Sequence, residues 1–318
     1  MSNSVKIYNF CGKLKMVIAI ATTVFLIAVI GSFVLGVDVA IEFKGGTIIT
    51  YTYSGDINTN DAEKVISDAV GTSVSVSEGK SLSTGDNNLT IQFTSKDGLT
   101  ADKQAALTDT LQKKFADNSI KLFDSNDVSP TTGREFFVKC LVAVIFASLI
   151  IVLYIALRFK KIGGISAGVC AVIALFHDLM VVYATFIVFR FELNANFMAV
   201  ILTILGYSIN DTIIIYDRIR EDKTLMPKST MREIVNTACS QTLTRSIRTS
   251  LTTLGTMVIV SVVVMISGYD SLLSFSIPLL FGLTSGAYSS IFVATNLWVK
   301  WLDHKDAKKG ISKEKAKA

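Results

Sequence analysis

Apolar residues along this chain gather in six long blocks, interrupted once by a long polar stretch. The blocks cover roughly residues 16–35, 136–157, 165–189, 195–216, 246–267 and 275–298. A helix that crosses a bilayer needs about 20 apolar residues at about 1.5 Å rise per residue, and each block meets that length. A buried helix of a soluble protein would explain any one of them. Six in one chain predict a polytopic α-helical membrane protein with six transmembrane helices.

The polar stretch changes period. Residues 47–53 are β-branched and aromatic and predict a strand. Residues 60–70 place Ala62, Val65, Ile66, Ala69 and Val70 on one helical face, with Thr59 or Asn60 as the cap. Residues 72–76 and the alternating 89–93 predict two more strands. Residues 100–115 predict a second helix capped by Thr100, and 119–128 a last strand. The order βαββαβ is that of a ferredoxin-like α+β domain, which therefore follows the first transmembrane helix. Four regions result: 1–35, the N-terminus and first helix; 36–134, the inserted domain; 135–302, the remaining helices; and 303–318, a basic tail.

Composition agrees with this division. Of 318 residues, 50% are hydrophobic and 18% charged, below the roughly 25% charged of soluble proteins. Basic residues settle the expected direction. Lys6, Lys13 and Lys15 precede the first span, and Arg158, Lys160 and Lys161 lie between the second and third. Arg218, Arg220, Lys223, Lys228 and Arg232 lie between the fourth and fifth, and Lys300, Lys305, Lys308 and Lys309 follow the sixth. The other side offers Arg190 and the turn at 268–270. Both termini are expected in the cytoplasm and the inserted domain outside. The net charge of +5 reflects this loop bias rather than a nucleic-acid footprint. The first apolar run exceeds a signal peptide's, and no A-x-A pattern follows, so it is expected to stay as a span. Cys11, Cys140, Cys170 and Cys239 form no C-x-x-C spacing, so neither disulfide nor zinc is expected. Nucleotide-binding and hydrolytic motifs are absent, the inserted domain has no His or Cys, and no cofactor, metal or enzymatic activity is expected.

Ionisable residues inside spans are costly, and each one raises a functional hypothesis. Asp211 stands in Gly206-Tyr-Ser-Ile-Asn-Asp-Thr212 with Asn210 and Ser208 beside it, and Gly206 offers room for another helix. It reads either as a proton-titrating carboxylate or as one paired permanently to a neighbouring helix. Arg245 and Arg248 share a face of the fifth span, where either can meet Asp211 or snorkel to the lipid headgroups. His177 and Asp178 lie near the middle of the third span, as a proton relay or an interhelical hydrogen bond.

Specific motifs add to this. Residues 202–221, which contain Gly206-Tyr-Ser-Ile-Asn-Asp and Tyr216-Asp217-Arg218, closely resemble the fourth-span signature of the SecD/SecF family of bacterial protein-export membrane subunits, in the resistance-nodulation-division superfamily. Residues 236–254 resemble its fifth-span signature and 286–294 its last-span motif. Glu42-Phe-Lys-Gly45-Gly46-Thr47 resembles its Asp-Phe-x-Gly-Gly element, with Glu in place of Asp. His177-Asp178 falls where the family has His-Asp. Ser274 replaces a glycine, and Arg248 is an added charge. The resemblance implies a half-transporter of the bacterial plasma membrane. It would act with a SecD-like subunit and a SecYEG-type channel, surrounded by membrane lipids, on unfolded exported proteins. It also implies a proton path through Asp211 and Arg245, with Asn210, His177 and Asp178 near it and Arg248 as a secondary position. Proton flow would move the outside domain during late export. Two alternatives remain from the residues themselves: a small-molecule or lipid exporter half, and a scaffold without proton flux.

Overall fold

The computed structural model describes residues 6–80, 86–94, 99–267 and 269–315. Six of its helices are long and apolar enough to cross a membrane, as the pattern predicts. The first is α1 (Leu14–Val34), followed by a one-turn helix, α2 (Ile41–Lys44). The inserted domain comprises β1 (Gly46–Tyr53), α3 (Thr59–Val70), β2 (Val74–Lys80), β3 (Asn87–Phe93), α4 (Ala101–Lys114) and β4 (Lys121–Val128). The remaining spans are α5 (Pro130–Arg158), α6 (Gly164–Phe189), α7 (Ala195–Leu225) and α8 (Met231–Ser267). The last span runs through α9 (Asp270–Ser289), one π-helical turn at Ser290–Ala294, and α10 (Thr295–Lys315). Gly268 of the predicted turn, and residues 316–318 of the tail, lie outside the described residues.

The inserted domain has the predicted ferredoxin-like order. Its antiparallel sheet runs β2-β3-β1-β4. Alternation along β1 and β3 turns Ile49, Tyr51, Tyr53, Leu89, Ile91 and Phe93 inward against Ala62 and Ile66 of α3 and Leu107 and Leu111 of α4. Local chemistry shifts some edges. Asn58, not Thr59 or Asn60, caps α3, accepting from the Asn60 N–H at 3.0 Å. Gly71 ends that helix in the left-handed region, and the chain needs the next residues to turn, so β2 starts at Val74 rather than 72. Thr100 precedes α4 but its side chain makes no capping bond.

The membrane helices form a centre and a rim. In α6, α7 and the α9–α10 span, 50–61% of the most apolar window is buried, against 6–17% in α1, α5 and α8. The spans of α1 and α5 are apolar on nearly every side, as lipid-facing helices must be, whereas α8 exposes Arg245 and Arg248. Helix α8 outruns its apolar block at its start. The fifth-span helix begins at Met231, well before residue 246, because Thr230 and Glu233 form a reciprocal capping pair (2.8 and 3.3 Å). Its early turns bury Ile234, Val235, Ala238 and Cys239. They also hold the N-terminal segment: Asn236 Oδ1 accepts from the Phe10 and Cys11 amides, and Ser240 Oγ from that of Tyr8.

The linker between α1 and β1 decides how the inserted domain sits on the bundle. Val39 pairs with Leu193 of the α6–α7 loop in a parallel bridge. Ala40 N–H donates to Leu193 O and Leu193 N–H to Asp38 O. Phe43 is buried, stacked on Phe136 and edge-on to Phe137 of α5. Gly45 and Gly46 then turn the chain into β1 with φ of 81° and 152°, a region that side chains rarely enter.

Candidate functional site

Polar groups converge where α6, α7 and α9 meet. Asp178 of α6 is fully buried, and an unpartnered charge there would be prohibitive. The fold supplies partners from two other helices. Asp178 Oδ2 accepts from Ser208 Oγ of α7 and Ser289 Oγ of α9, both at 2.7 Å, and Oδ1 accepts from Ser285 Oγ at 2.5 Å. His177 Nδ1 lies 3.2 Å from Oδ1. Its Nε2 meets the Tyr288 hydroxyl at 2.5 Å, with the two rings perpendicular. Such close approach requires small residues at the crossing. A Cβ on Gly286 would stand 3.0 Å from that of Ser208, and one on Gly282 2.8 Å from Ile204 and Val182.

The same seam continues toward the π-helical turn. Thr212 donates to Ser290 Oγ at 3.0 Å, and Ser290 donates to the backbone of Ser208 and Gly286. A π turn inside a long helix is rare and concentrates at functional sites. Here it falls beside the hydroxyls that tie α7 to the last span.

Asp211, one turn further along α7, is different. It is buried, yet its Oδ2 has no hydrogen-bond partner among the described residues. Neither Arg245 nor Arg248 closes an ion pair with it within 4.0 Å among the described residues. Arg245 is the cation whose charge acts on it. Tyr207 donates to Thr253 at 3.2 Å. The two helices run antiparallel, so Asp211 comes level with Thr249 and Ser250. Ser250 and Ser246 are likewise buried hydroxyls without a partner among the described residues. Unsatisfied buried polar atoms are uncommon and call for an explanation.

The remaining sequence-predicted positions fall into three places. Asn210 and Gly206 lie on an exposed face of α7, and a Cβ on Gly206 would meet nothing within 4 Å, so among the described residues no helix uses the room it offers. Arg245 and Arg248 are exposed on α8. Asp217 and Arg218 join helices at the basic end of the bundle. Asp217 pairs with Arg158 of α5 and with Arg220, while Arg218 pairs with Glu221 and Asp222 and donates to Gln241 of α8. With Arg245, Tyr154 and Phe159 they line a cavity of about 610 Å³. Glu42, Gly45 and Gly46 form the root of the inserted domain, away from both acids. Sequence reasoning missed Ser285 and marked Tyr288, Ser289 and Ser290 only as part of the last-span motif, without a place in the site. Their signal was available: Ser285 and Ser289 are four apart in an apolar span and so share a helical face.

Six spans, a ferredoxin-like domain after the first, and acids enclosed between helices define a multi-pass membrane protein with its ionisable groups inside the bundle. The family model for the C-terminal region of the protein export membrane proteins SecD and SecF matches residues 107–304. The protein translocase subunit SecF of Anaerolinea thermophila is 30% identical over 92% of this chain and 94% of its own length. That of Thermobaculum terrenum is 32% identical over 92% and 91%. The crystal structure of SecDF from Thermus thermophilus, described as a translocon-associated membrane protein, superposes with a TM-score of 0.77 at 27% identity. That match covers 95% of this chain and 40% of SecDF. The chain belongs to the SecD/SecF family of protein export membrane proteins, and is a multi-pass protein of the bacterial plasma membrane.

Proposed function

We propose that this chain is the SecF-type half of a proton-driven export machine, working beside a SecD-like subunit and a SecYEG-type channel on unfolded proteins late in their export. The observation that carries this reading is Asp211: a buried carboxylate with an unpartnered oxygen, within the field of Arg245, between helices otherwise tied by hydroxyls. A group with unspent hydrogen-bonding capacity can exchange a proton and repartner. One charge crossing about 100 mV is worth roughly 2.3 kcal/mol, so a few protons suffice for a modest domain movement. His177, Asp178 and Asn210 flank this path, and Arg248 is its secondary position.

The partner follows from exposure. Asn210, Gly206, Arg245 and Arg248 lie exposed on α7 and α8, within or at the edge of the apolar spans. Charges facing hydrocarbon are costly, and a second set of transmembrane helices would cover them. The solved SecDF chain is longer than the part this chain matches, which is 40% of it. Basic residues Arg158, Arg218, Arg220 and Lys223 gather at one end of the bundle, where Lys223 donates to Lys161 O. The loop bias makes that end cytoplasmic, with both termini.

The test uses proteoliposomes holding this chain, its SecD-like partner and the channel. Late export of a secretory protein is followed with and without a proton gradient. Asp211→Asn keeps the shape and cannot ionise. It should abolish the stimulation by the gradient while still assembling with the partner. Equal stimulation of both proteins would make Asp211 structural and remove the proton reading.

A further inference from the structure

The root of the inserted domain and the N-terminus of α7 are one joint. Glu42, in the one-turn helix that leads into β1, reaches across to α7. Its Oε2 accepts from the Ala195 backbone N–H at 2.7 Å. Ala195 is the first residue of α7, after the N-cap Asn194, whose side chain takes the next amides, those of Asn196 and Phe197. Glu42 therefore holds a donor that Asn194 does not, and its charge opposes the positive end of the helix dipole. Its neighbour Phe43 is wedged between Phe136 and Phe137 of α5, and a Cβ on Gly133 would strike the Glu42–Phe43 backbone at 2.9 Å.

Helix α7 runs without proline from Ala195 to Leu225 and carries Asp211. Sixteen residues separate the Glu42 contact from Asp211, about 24 Å along the axis. An unbroken helix transmits a shift or rotation along its length, because its backbone bonds leave no hinge.

We propose that Glu42 is the positioning residue that transmits movement of α7 to the inserted domain, its carboxylate on the Ala195 amide linking the Asp211 site to the domain's root. This rests on the proton-coupled reading above and adds the residue that carries the motion outward. Nothing in the joint touches the proton itself.

Two variants break the contact from opposite sides. Glu42→Ala removes the acceptor. Ala195→Pro removes the donor, and proline is well tolerated at the first position of a helix. Asn194, in the extended region with φ −126° and ψ −168°, already suits a following proline. Glu42→Gln retains an acceptor oxygen and serves as the conservative control. The first readout is the ratio of export with the gradient to export without it, in proteoliposomes holding the full complex. Loss of a charge-assisted bond corresponds to about a tenfold change in an equilibrium. The gradient-stimulated part should fall about tenfold in both breaking variants and be largely kept in Glu42→Gln.

The second readout does not depend on export. Spin labels at Lys64 on α3 and Lys160 in the turn between α5 and α6, with native cysteines replaced, report the distance between domain and bundle. That distance should shift between the wild type and Asp211→Asn, and the shift should vanish when Glu42→Ala or Ala195→Pro is added. A shift that persists in Ala195→Pro, or no shift at all, overturns the link. Absence of gradient stimulation in the wild type would remove the proton reading, while the distance measurement still decides the link. If Glu42→Ala fails to fold, Ala195→Pro alone decides it.

Discussion

Two aspartates lie inside this bundle in opposite circumstances. Asp178 accepts three hydroxyl bonds from Ser208, Ser285 and Ser289, contributed by two other helices. Asp211 is nearly as buried, and one of its oxygens has no partner among the described residues. Burial is thus shared, and satisfaction separates them. A carboxylate whose acceptors are occupied by preorganised donors holds helices together and resists change. One with vacant capacity has a reason to change partner. The polar seam of α6, α7 and α9 therefore reads as the fixed half of the site, and the α7–α8 face as the movable half.

The sharpest way to break this contrast is to delete Asp178. Asp178→Leu removes the acceptor that three buried serines share and places a branched side chain among them. Each buried hydroxyl left without a good partner costs about 1–3 kcal/mol, and the effects of the three add up. Asp178→Leu should therefore unfold in detergent at markedly lower denaturant concentration than the wild type. A loss of under about 1 kcal/mol would refute the role of the seam as an anchor.

Close packing of the same seam gives the next effect. Gly282→Leu forces atoms into space already filled by Ile204 and Val182, where even a Cβ would stand 2.8 Å away. Overpacking of this kind costs about 1–3 kcal/mol. Gly206→Leu, on the open face of α7, should leave the isolated chain unchanged and instead weaken co-purification with the partner. Equal losses of stability at the two glycines would show that the open face is not open.

How much of this was legible beforehand follows from what each residue needs. The six spans were, because bilayer thickness demands long apolar runs and nothing else in the chain competes with them. The order of the inserted domain was, because alternation and helical period differ. Asp178 and Asp211 stood out because charge in an apolar span is rare. Their difference was not legible, since it depends on which serines a neighbouring helix brings within reach. Ser285 and Ser289 lie more than a hundred residues from Asp178 in sequence. The same holds for Glu42, flagged by its motif alone, whose contact with Ala195 exists only after the linker folds back onto the α6–α7 loop. The early start of α8 was readable from Thr230 and Glu233, but apolar content masked it.

Substituting the movable acid should cost less than either change above. Asp211→Asn keeps volume and supplies a donor to a site with unpartnered oxygens. The expected change in unfolding free energy is within about 1 kcal/mol, far below that of Asp178→Leu. A destabilisation comparable to Asp178→Leu would mean that Asp211 is as firmly anchored as its neighbour, and the contrast would fail.

The smallest effect concerns the joint, and it carries a sign. Glu192, in the α6–α7 loop between the spans, is half-buried, and burial raises its pKa above 4.5. Asp38 and Glu42 push in the same direction, while a hydrogen bond with Gln92 of β3 and the charge of Lys44 oppose it. The folded joint therefore holds this proton to higher pH than the unfolded chain does. Such a group contributes stability that is fully present below pH 4.5 and is lost as pH rises through the raised value. Glu192→Gln fixes the neutral form. Its Tm should exceed that of the wild type at pH 7, and the gap should close as pH falls toward 4.5. A gap that stays constant across that range would show that Glu192 does not titrate differently in the folded joint. The link between domain and bundle would then be insensitive to the acidity of the side on which it sits.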